Sequence, residues 1–319
     1  MRKIGRAGYG TGEVDNCHPW YVGSDHHSLS QPVRMELARQ MVEIPLDGGS
    51  HSTVVRVGQT VRRASHSWSS AVLDLLGHLE REGFAGAPRA LGLDDRGREV
   101  LTYIEGEVGL GDRFIPDQGG RFDLGLPDYV WRDHVLAHLG ALIRAYHDAA
   151  ATFPWAGREW MFEPRQPVET VCHNELFPWN TVFRSGVPVA FIDWDTAAPG
   201  PRAWDLGLVA WRWVPFSRDE KCRAIGLSTG IAEKARRFRL LLDAYGIEPD
   251  IGIVLAGIER MRNLLDHLSR TAADGSEWET ELARRGVLDE RQLTVSHGQA
   301  NMPCDLGPGT SPRGRQTIS

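Results

Sequence analysis

Cysteine is scarce in this 319-residue sequence: Cys17, Cys172, Cys222 and Cys304 are all there are, and no two stand in a C-x-x-C spacing. That scatter argues against a disulfide framework or a cysteine zinc site and for reduced thiols in a cytoplasmic protein. No run approaches the ~18–20 consecutive apolar residues of a membrane span. Residues 1–16 carry positive charge without an apolar stretch, so they do not read as a signal peptide. An excess of basic charge is also missing. With 36 Lys and Arg against 42 Asp and Glu, the net charge is −6, which leaves no footprint for nucleic acid. The sequence contains no H-E-x-x-H or Walker A pattern, so zincin and P-loop readings lack their motifs. His173-x-Glu175 opens the zinc deaminase signature, but the required Pro-Cys-x-x-Cys does not follow; Pro303-Cys304 is distant and lacks the second cysteine. There are no internal repeats.

What is present is the composition of a globular protein, 41% hydrophobic and 24% charged. The length is enough for a sizeable core in one large or two medium domains. Residues 1–40 are rich in Gly, His and Ser and read as a flexible tail. Gly8, Gly10 and Gly12 there have no strand–helix frame around them, and His18, His26 and His27 read as solvated. From Met41 the pattern changes. Val42–Leu46, Thr53–Val57 and Thr60–Arg63 read as three short strands, with turns at Asp47–Ser50 and Gly58-Gln59. Ser69–Glu82 carries apolar residues at 72, 73, 75, 76 and 79, a helical face. Pro88–Leu91 and Glu99–Ile104 read as two further strands. After an irregular Gly- and Asp-rich stretch, Asp128–Ala151 reads as one long helix. Trp204–Trp213, Ile231–Tyr245 and Ile251–Leu268 are helical, with a stop at Gly246 and a start at Pro249-Asp250. Glu259, Arg262 and Asp266 share a face of the last helix, most simply a solvated one. Residues 295–319 are rich in Gly, Pro and Ser and read as disordered.

The densest chemistry lies between Val171 and Asp205. His173-Asn174-Glu175 is followed by Asn180, then by a strand Thr181–Arg184, a Ser185-Gly186 hairpin turn and a return run Val187–Ile192 that ends at Asp193. The hairpin carries Asp193 back beside Asn180. A loop carboxylate, a carboxamide and a second carboxylate thus come into one small volume. Phosphoryl transfer from a magnesium nucleotide requires such a set: one group to orient or deprotonate an acceptor hydroxyl, and an oxygen pair to hold the metal on the phosphates.

His-Asn-acid, Pro178-x-Asn180, Ile192-Asp193-Trp194-Asp195 and Pro201-Arg202-x-Trp204-Asp205-Leu206, in that order over about thirty-five residues, resemble the aminoglycoside phosphotransferase family of small-molecule kinases. Arg between His and the acid, D-F-G and A-P-E, the marks of a protein kinase, are absent. The resemblance implies an α+β, bilobal protein-kinase-like fold with a small antiparallel-sheet N-lobe and a larger, mainly helical C-lobe. It places the N-lobe at 41–105 and the C-lobe at 106–294. It implies Glu175 as the catalytic base, Asn180 and Asp193 as Mg²⁺ ligands, and ATP or GTP as the donor. Gly48, Gly49 and Ser50 would cover the nucleotide phosphates. Arg63 would contact them where kinases carry a Lys, with Arg62 as the alternative if the register slips by one. Tyr103 and Ile104 would lie at the adenine-binding hinge, and Ile192 beside the nucleotide. No acid in the first helix is assigned as the partner of that cation, since Val72 stands at the expected position and Asp74 is only nearby. His173 would hold the loop and Asp205 anchor it. Glu175 stands where the family has Asp. The implied partner is a small hydroxyl acceptor, with no nucleic acid or membrane and an open oligomeric state. The alternative is a catalytically weakened nucleotide- or ligand-binding protein on the same fold.

Overall fold

Short alternating segments and tight turns build the first half of the structure. A computed structural model describes residues 42–46, 54–109, 126–214, 216, 222–223 and 226–273, with side chains to residue 263. The chain divides into two units, Met1–Val42 and Glu43–Ser319, and everything below concerns the second. The expectations for residues 1–40, Gly48, Gly49, Ser50 and 295–319 lie outside the described residues.

Strands β1 (Ile44–Pro45), β2 (Val55–Val57), β3 (Thr60–Arg63), β4 (Ala90–Leu93) and β5 (Glu99–Thr102) form one antiparallel sheet in the order β1-β2-β3-β5-β4. In the β3–β5 ladder Arg63 stands directly opposite Glu99. Helix α1 (Ser69–Arg81) packs on β4 and buries Val72, Leu75, Leu76 and Leu79 completely or nearly so. Each such side chain withdrawn from water contributes roughly 1.5–3 kcal/mol. The strand ending at Thr102 continues through Tyr103–Gly106 into β6 (Glu107–Val108), which pairs with β8 (Thr181–Arg184). A segment read from sequence as hinge and loop therefore ends in a strand of a second sheet. That sheet has the order β6-β8-β9, with β9 at Val187–Phe191.

The single long helix expected over Asp128–Ala151 is two elements. A 3₁₀ turn, Asp128–Trp131, is followed by α2 (Asp133–Ala150), with Arg132 extended between them at φ −72°, ψ 144°. The break has a physical cause. Arg237 donates through Nη1 to the Trp131 carbonyl (2.9 Å) and to Asp133 (3.0 Å), and through Nη2 to the Trp213 carbonyl (3.0 Å), so the turn is held by a distant buried guanidinium. Beyond the break, α2 buries Val135, Leu136, Leu139, Ile143 and Tyr146 at the centre of the core.

Two strands escaped the sequence pattern: β7 (Thr170–Cys172) and β10 (Ala198–Gly200), paired antiparallel with Cys172 opposite Ala198. Helices α3 (Arg202–Trp213), α4 (Ile231–Tyr245) and α5 (Ile251–Ala273) complete the fold. Helix α4 packs on α2, and α5 on α3. At the α3–α5 crossing Gly207 and Gly257 meet backbone to backbone. A Cβ on Gly207 would lie 2.4 Å from the Gly257 nitrogen, so only glycine permits this approach. Helix α4 stops at Gly246, whose φ of 89° lets its N–H and that of Ile247 return to the Leu242 carbonyl (2.8 and 3.1 Å).

Candidate active site

The β7–β10 pairing brings residues 173–175, which follow β7, alongside Thr196 and Ala197, which precede β10. The loop is then fixed from behind by Asp205, a fully buried carboxylate in the first turn of α3. Its Oδ2 accepts the His173 N–H (2.8 Å) and faces His147 Nε2 (3.2 Å), while its Oδ1 accepts the Asn174 N–H (2.8 Å). Burial pushes the Asp205 carboxyl upward. Hydrogen bonding and charge from His147 and His173 outweigh it and hold the group below its ordinary value. Asn174 sits at φ 69°, a region costly for a side-chain-bearing residue. Its amide donates to the Thr196 carbonyl (2.7 Å), and its own carbonyl accepts Arg260 Nη2 (2.8 Å). His173 is wholly buried, and desolvation lowers its pKa to about 4. As a neutral ring it accepts the Glu175 N–H at Nδ1 (3.3 Å) and donates from Nε2 to the Ile192 carbonyl (3.1 Å).

The β8–β9 hairpin delivers the front of the site. Ile192 donates its N–H to the Asn180 carbonyl (2.9 Å), which puts Asp193 next to Asn180. Asn180 donates from Nδ2 to the Glu175 carbonyl (3.1 Å) and toward the Glu175 carboxylate (3.5 Å). Asp193 takes φ 64°, and its side chain is 51% exposed. Burial, then the negative charge of Asp193, raises the Glu175 carboxyl to about 7; Arg260 opposes the shift. Glu175, Asn180 and Asp193 are thereby brought together, with His173 and Asp205 behind them.

Arg63, deeply buried at the end of β3, reaches into the same region. Its Nε pairs with Glu99 (2.5 Å), and its two terminal nitrogens fork onto Asp195 (2.7 and 3.1 Å). Asp193 lies 3.6 Å from Nη1. Arg62 points elsewhere, bonding Thr60 (2.6 Å) and lying 3.8 Å from Asp94. Asp74 of α1 pairs with Arg158, away from Arg63. In the segment expected as the hinge, the Tyr103 N–H is taken by the Gln59 carbonyl (2.9 Å) and its ring lies under the Arg56 guanidinium (3.7 Å); Ile104 follows as half-buried chain. On α5, Glu259 pairs with Arg165, Arg262 is exposed, and the Asp266 side chain lies outside the described residues.

Two site residues were missed in the sequence. Glu99 is legible only from its register opposite Arg63, and Arg260 only from the path of α5 across Asn174. Among the described residues no three His, Cys, Asp or Glu side chains gather as a metal cage. The hard oxygens of Asn180 and Asp193 fit instead a cation that takes most of its ligands from phosphates and water, as Mg²⁺ does. Arg63, forked onto Asp195 and 3.6 Å from Asp193, already supplies one positive charge beside them.

The sequence model of the phosphotransferase enzyme family (APH) matches residues 43–239, more than half the chain. The trifolitoxin immunity protein of Rhizobium leguminosarum bv. trifolii is 35% identical over 216 residues, covering 64% of this chain and 74% of that one. Among solved structures, macrolide 2′-phosphotransferase MphH from Brachybacterium faecium aligns at 17% identity with a TM-score of 0.53, over 81% of this chain and 97% of that one. The GDP and kanamycin complex of APH(2″)-IIIa aligns at 11% identity and a TM-score of 0.50, over 82% and 98%. At such identities the likeness establishes the fold, which is α+β and protein-kinase-like. With the loop, hairpin and anchoring aspartate in the order described, this chain belongs to the phosphotransferase enzyme family.

Proposed function

We propose that this phosphotransferase moves the γ-phosphate of ATP or GTP to a hydroxyl of a small polar molecule. One observation carries the reading: the Ile192 N–H to Asn180 carbonyl bond, which sets Asp193 beside Asn180 and both beside Glu175. Glu175 orients the acceptor hydroxyl and takes its proton as the oxygen bonds to phosphorus and the bond to the leaving nucleoside diphosphate breaks. A carboxyl near 7 is ionised in about half of the molecules at neutral pH and is basic enough to accept that proton. Asn180 and Asp193 would hold Mg²⁺, which when bound neutralises charge on the phosphates. Arg63, held by Glu99 and Asp195, lies at the same end of the site. Gly48, Gly49 and Ser50 would cover the phosphates, the Tyr103 carbonyl and the Ile104 backbone would face the base, the Tyr103 N–H being held by Gln59, and Ile192 would lie beside the nucleotide. The GDP and kanamycin complex of a structure with this fold supports a nucleotide and a small acceptor. No helix among the described residues is long and apolar enough to cross a membrane. The cytoplasmic location we propose rests instead on four cysteines without a disulfide spacing.

A second reading is a nucleotide-binding protein with slow chemistry, favoured by the longer Glu175 and its partly protonated carboxyl at neutral pH. The immunity protein at 35% identity adds a biological variant of the first reading, in which the acceptor is a toxic molecule. Calorimetric titration with a nonhydrolysable ATP or GTP analogue, with and without Mg²⁺, tests both. Magnesium-dependent binding that disappears in Asp193→Ala supports a working nucleotide site. ADP or GDP release across an acceptor panel then separates an enzyme from a binder. No binding of either analogue removes both readings.

A further inference from the structure

Protein kinases hold their strand-three cation with a glutamate from the first helix, and this chain has no acid on α1 that reaches Arg63. Val72 is fully buried in the core, and Asp74 faces outward to Arg158. The partner comes instead from β5. Glu99 is fully buried, stands opposite Arg63 in the β3–β5 ladder, and accepts its Nε. The other Glu99 oxygen accepts the Ser69 hydroxyl, and the Ser69 oxygen in turn accepts the His66 N–H (2.8 Å). Ser69 is the first residue of α1 and is itself buried. A continuous chain thus runs from the entrance of α1 through the buried Ser69 and Glu99 to Arg63, and from Arg63 out to the partly exposed Asp195 and the flank of Asp193.

We propose that Glu99, steadied by Ser69, is the positioning residue of this site: it sets the direction in which Arg63 faces the Asp193–Asp195 loop and the phosphates of a bound nucleotide. The geometry explains why an arginine stands at this position. The cation must answer a carboxylate on the sheet side and another on the loop side at once. A planar guanidinium has donors on both edges, whereas a lysine ammonium is a single point of charge. It also explains the loss of the helix acid: with Glu99 in the sheet, Arg63 is oriented by a neighbouring strand, and α1 is tied to it through its first residue alone.

The inference rests on the nucleotide reading above, and its test separates the two. Wild type, Glu99→Gln and Ser69→Ala are titrated calorimetrically with Mg²⁺ and nonhydrolysable ATP and GTP analogues, with melting temperature followed in parallel. The near-isosteric Glu99→Gln is expected to fold and to bind the tighter Mg²⁺ analogue about tenfold more weakly, the effect of losing a charged hydrogen bond. Ser69→Ala should weaken it about threefold, as expected for a neutral hydrogen bond. A merely structural pair would lower the melting temperature and leave the affinity of the folded protein alone. Affinities within twofold of wild type in both variants would therefore overturn the proposal while leaving the nucleotide site intact. If Glu99→Gln does not fold, Ser69→Ala decides by the same criterion. Absence of binding by wild type would overturn the nucleotide reading and this inference with it.

Discussion

Asp205 and Asp193 are carboxylates of the same site with opposite circumstances. Asp205, behind the loop, is wholly buried, accepts two backbone N–H groups and faces His147, and is held below its ordinary pKa. Asp193, in front, is half exposed on a left-handed backbone, and its charge helps push Glu175 up to about 7. The back spends its polar groups on each other and gains rigidity. The front keeps like charges together on a strained turn, an arrangement that the back must support. Stability and chemistry are thereby assigned to different residues about one loop apart, and each assignment can be broken separately.

The largest effect is expected behind the loop. Asp205→Ala would strand the His173 and Asn174 N–H groups and remove the partner of His147, costing about 3–5 kcal/mol of unfolding free energy in denaturant titrations. A loss under ~1 kcal/mol, the net worth of an ordinary hydrogen bond, would mean that the back is not the anchor. Asp193→Ala should do the reverse. Turnover, read as ADP or GDP release with whichever acceptor the panel yields, should fall by about 10²–10³-fold, the size of effect seen when a charge-stabilising group is removed. The melting temperature should stay near that of wild type, since removing a like charge beside Glu175 is offset by placing alanine on a left-handed backbone that aspartate tolerates better. Full turnover in that variant would end the assignment of Asp193 to the chemistry.

The front of the site was largely legible in the sequence, and its supports were not. Thr181–Phe191 is two apolar-rich runs that turn at Ser185-Gly186, whose backbones both take positive φ, so the local pattern indicated the hairpin that returns Asp193, though not its register shift at Val182/Phe183. Ile231–Tyr245 was readable for a similar reason, with a periodic apolar face closed by a left-handed glycine. The supports depend on distant partners. The break at Arg132 is made by Arg237, more than a hundred residues later. The β7–β10 pair is three residues long on each side, too short to declare its register. Glu99 and Arg260 become site residues only through a ladder and a helix crossing. Apolar periodicity reports burial; it does not report which buried polar groups will meet.

The α3–α5 crossing offers a subtler test of the back. Arg260 reaches the Asn174 carbonyl from α5, and α5 lies at its present distance from α3 because Gly207 and Gly257 touch. In Gly207→Ala the added methyl would sit 2.4 Å from the Gly257 nitrogen, and backbone cannot yield as a flexible side chain would. A loss of about 1–3 kcal/mol is expected, seen as a melting temperature several degrees lower. Unchanged stability would show that the two helices can separate without cost and that Arg260 is not held in place by their contact.

The smallest expected effect concerns Glu175 and has a definite sign. A carboxyl whose folded-state pKa is raised favours the folded state fully below its unfolded value, near 4.5. It loses that contribution as pH rises through about 7. Glu175→Gln, which is neutral throughout, should match wild type at pH 4.5 and become progressively more stable than wild type as pH rises to 8. The full shift would correspond to about 3 kcal/mol, and partial solvent access to the side chain reduces the expected gain to about 1–2 kcal/mol. Melting temperatures at pH 5 and pH 8 in metal-free buffer read the difference directly, since a cation at Asp193 would offset the charge that raises Glu175. A variant that gains nothing at pH 8 would mean that the front carries no such load. A gain that appears without metal and shrinks when Mg²⁺ and a nucleotide analogue are added would show that the charge at the front is relieved by the ligands proposed for it.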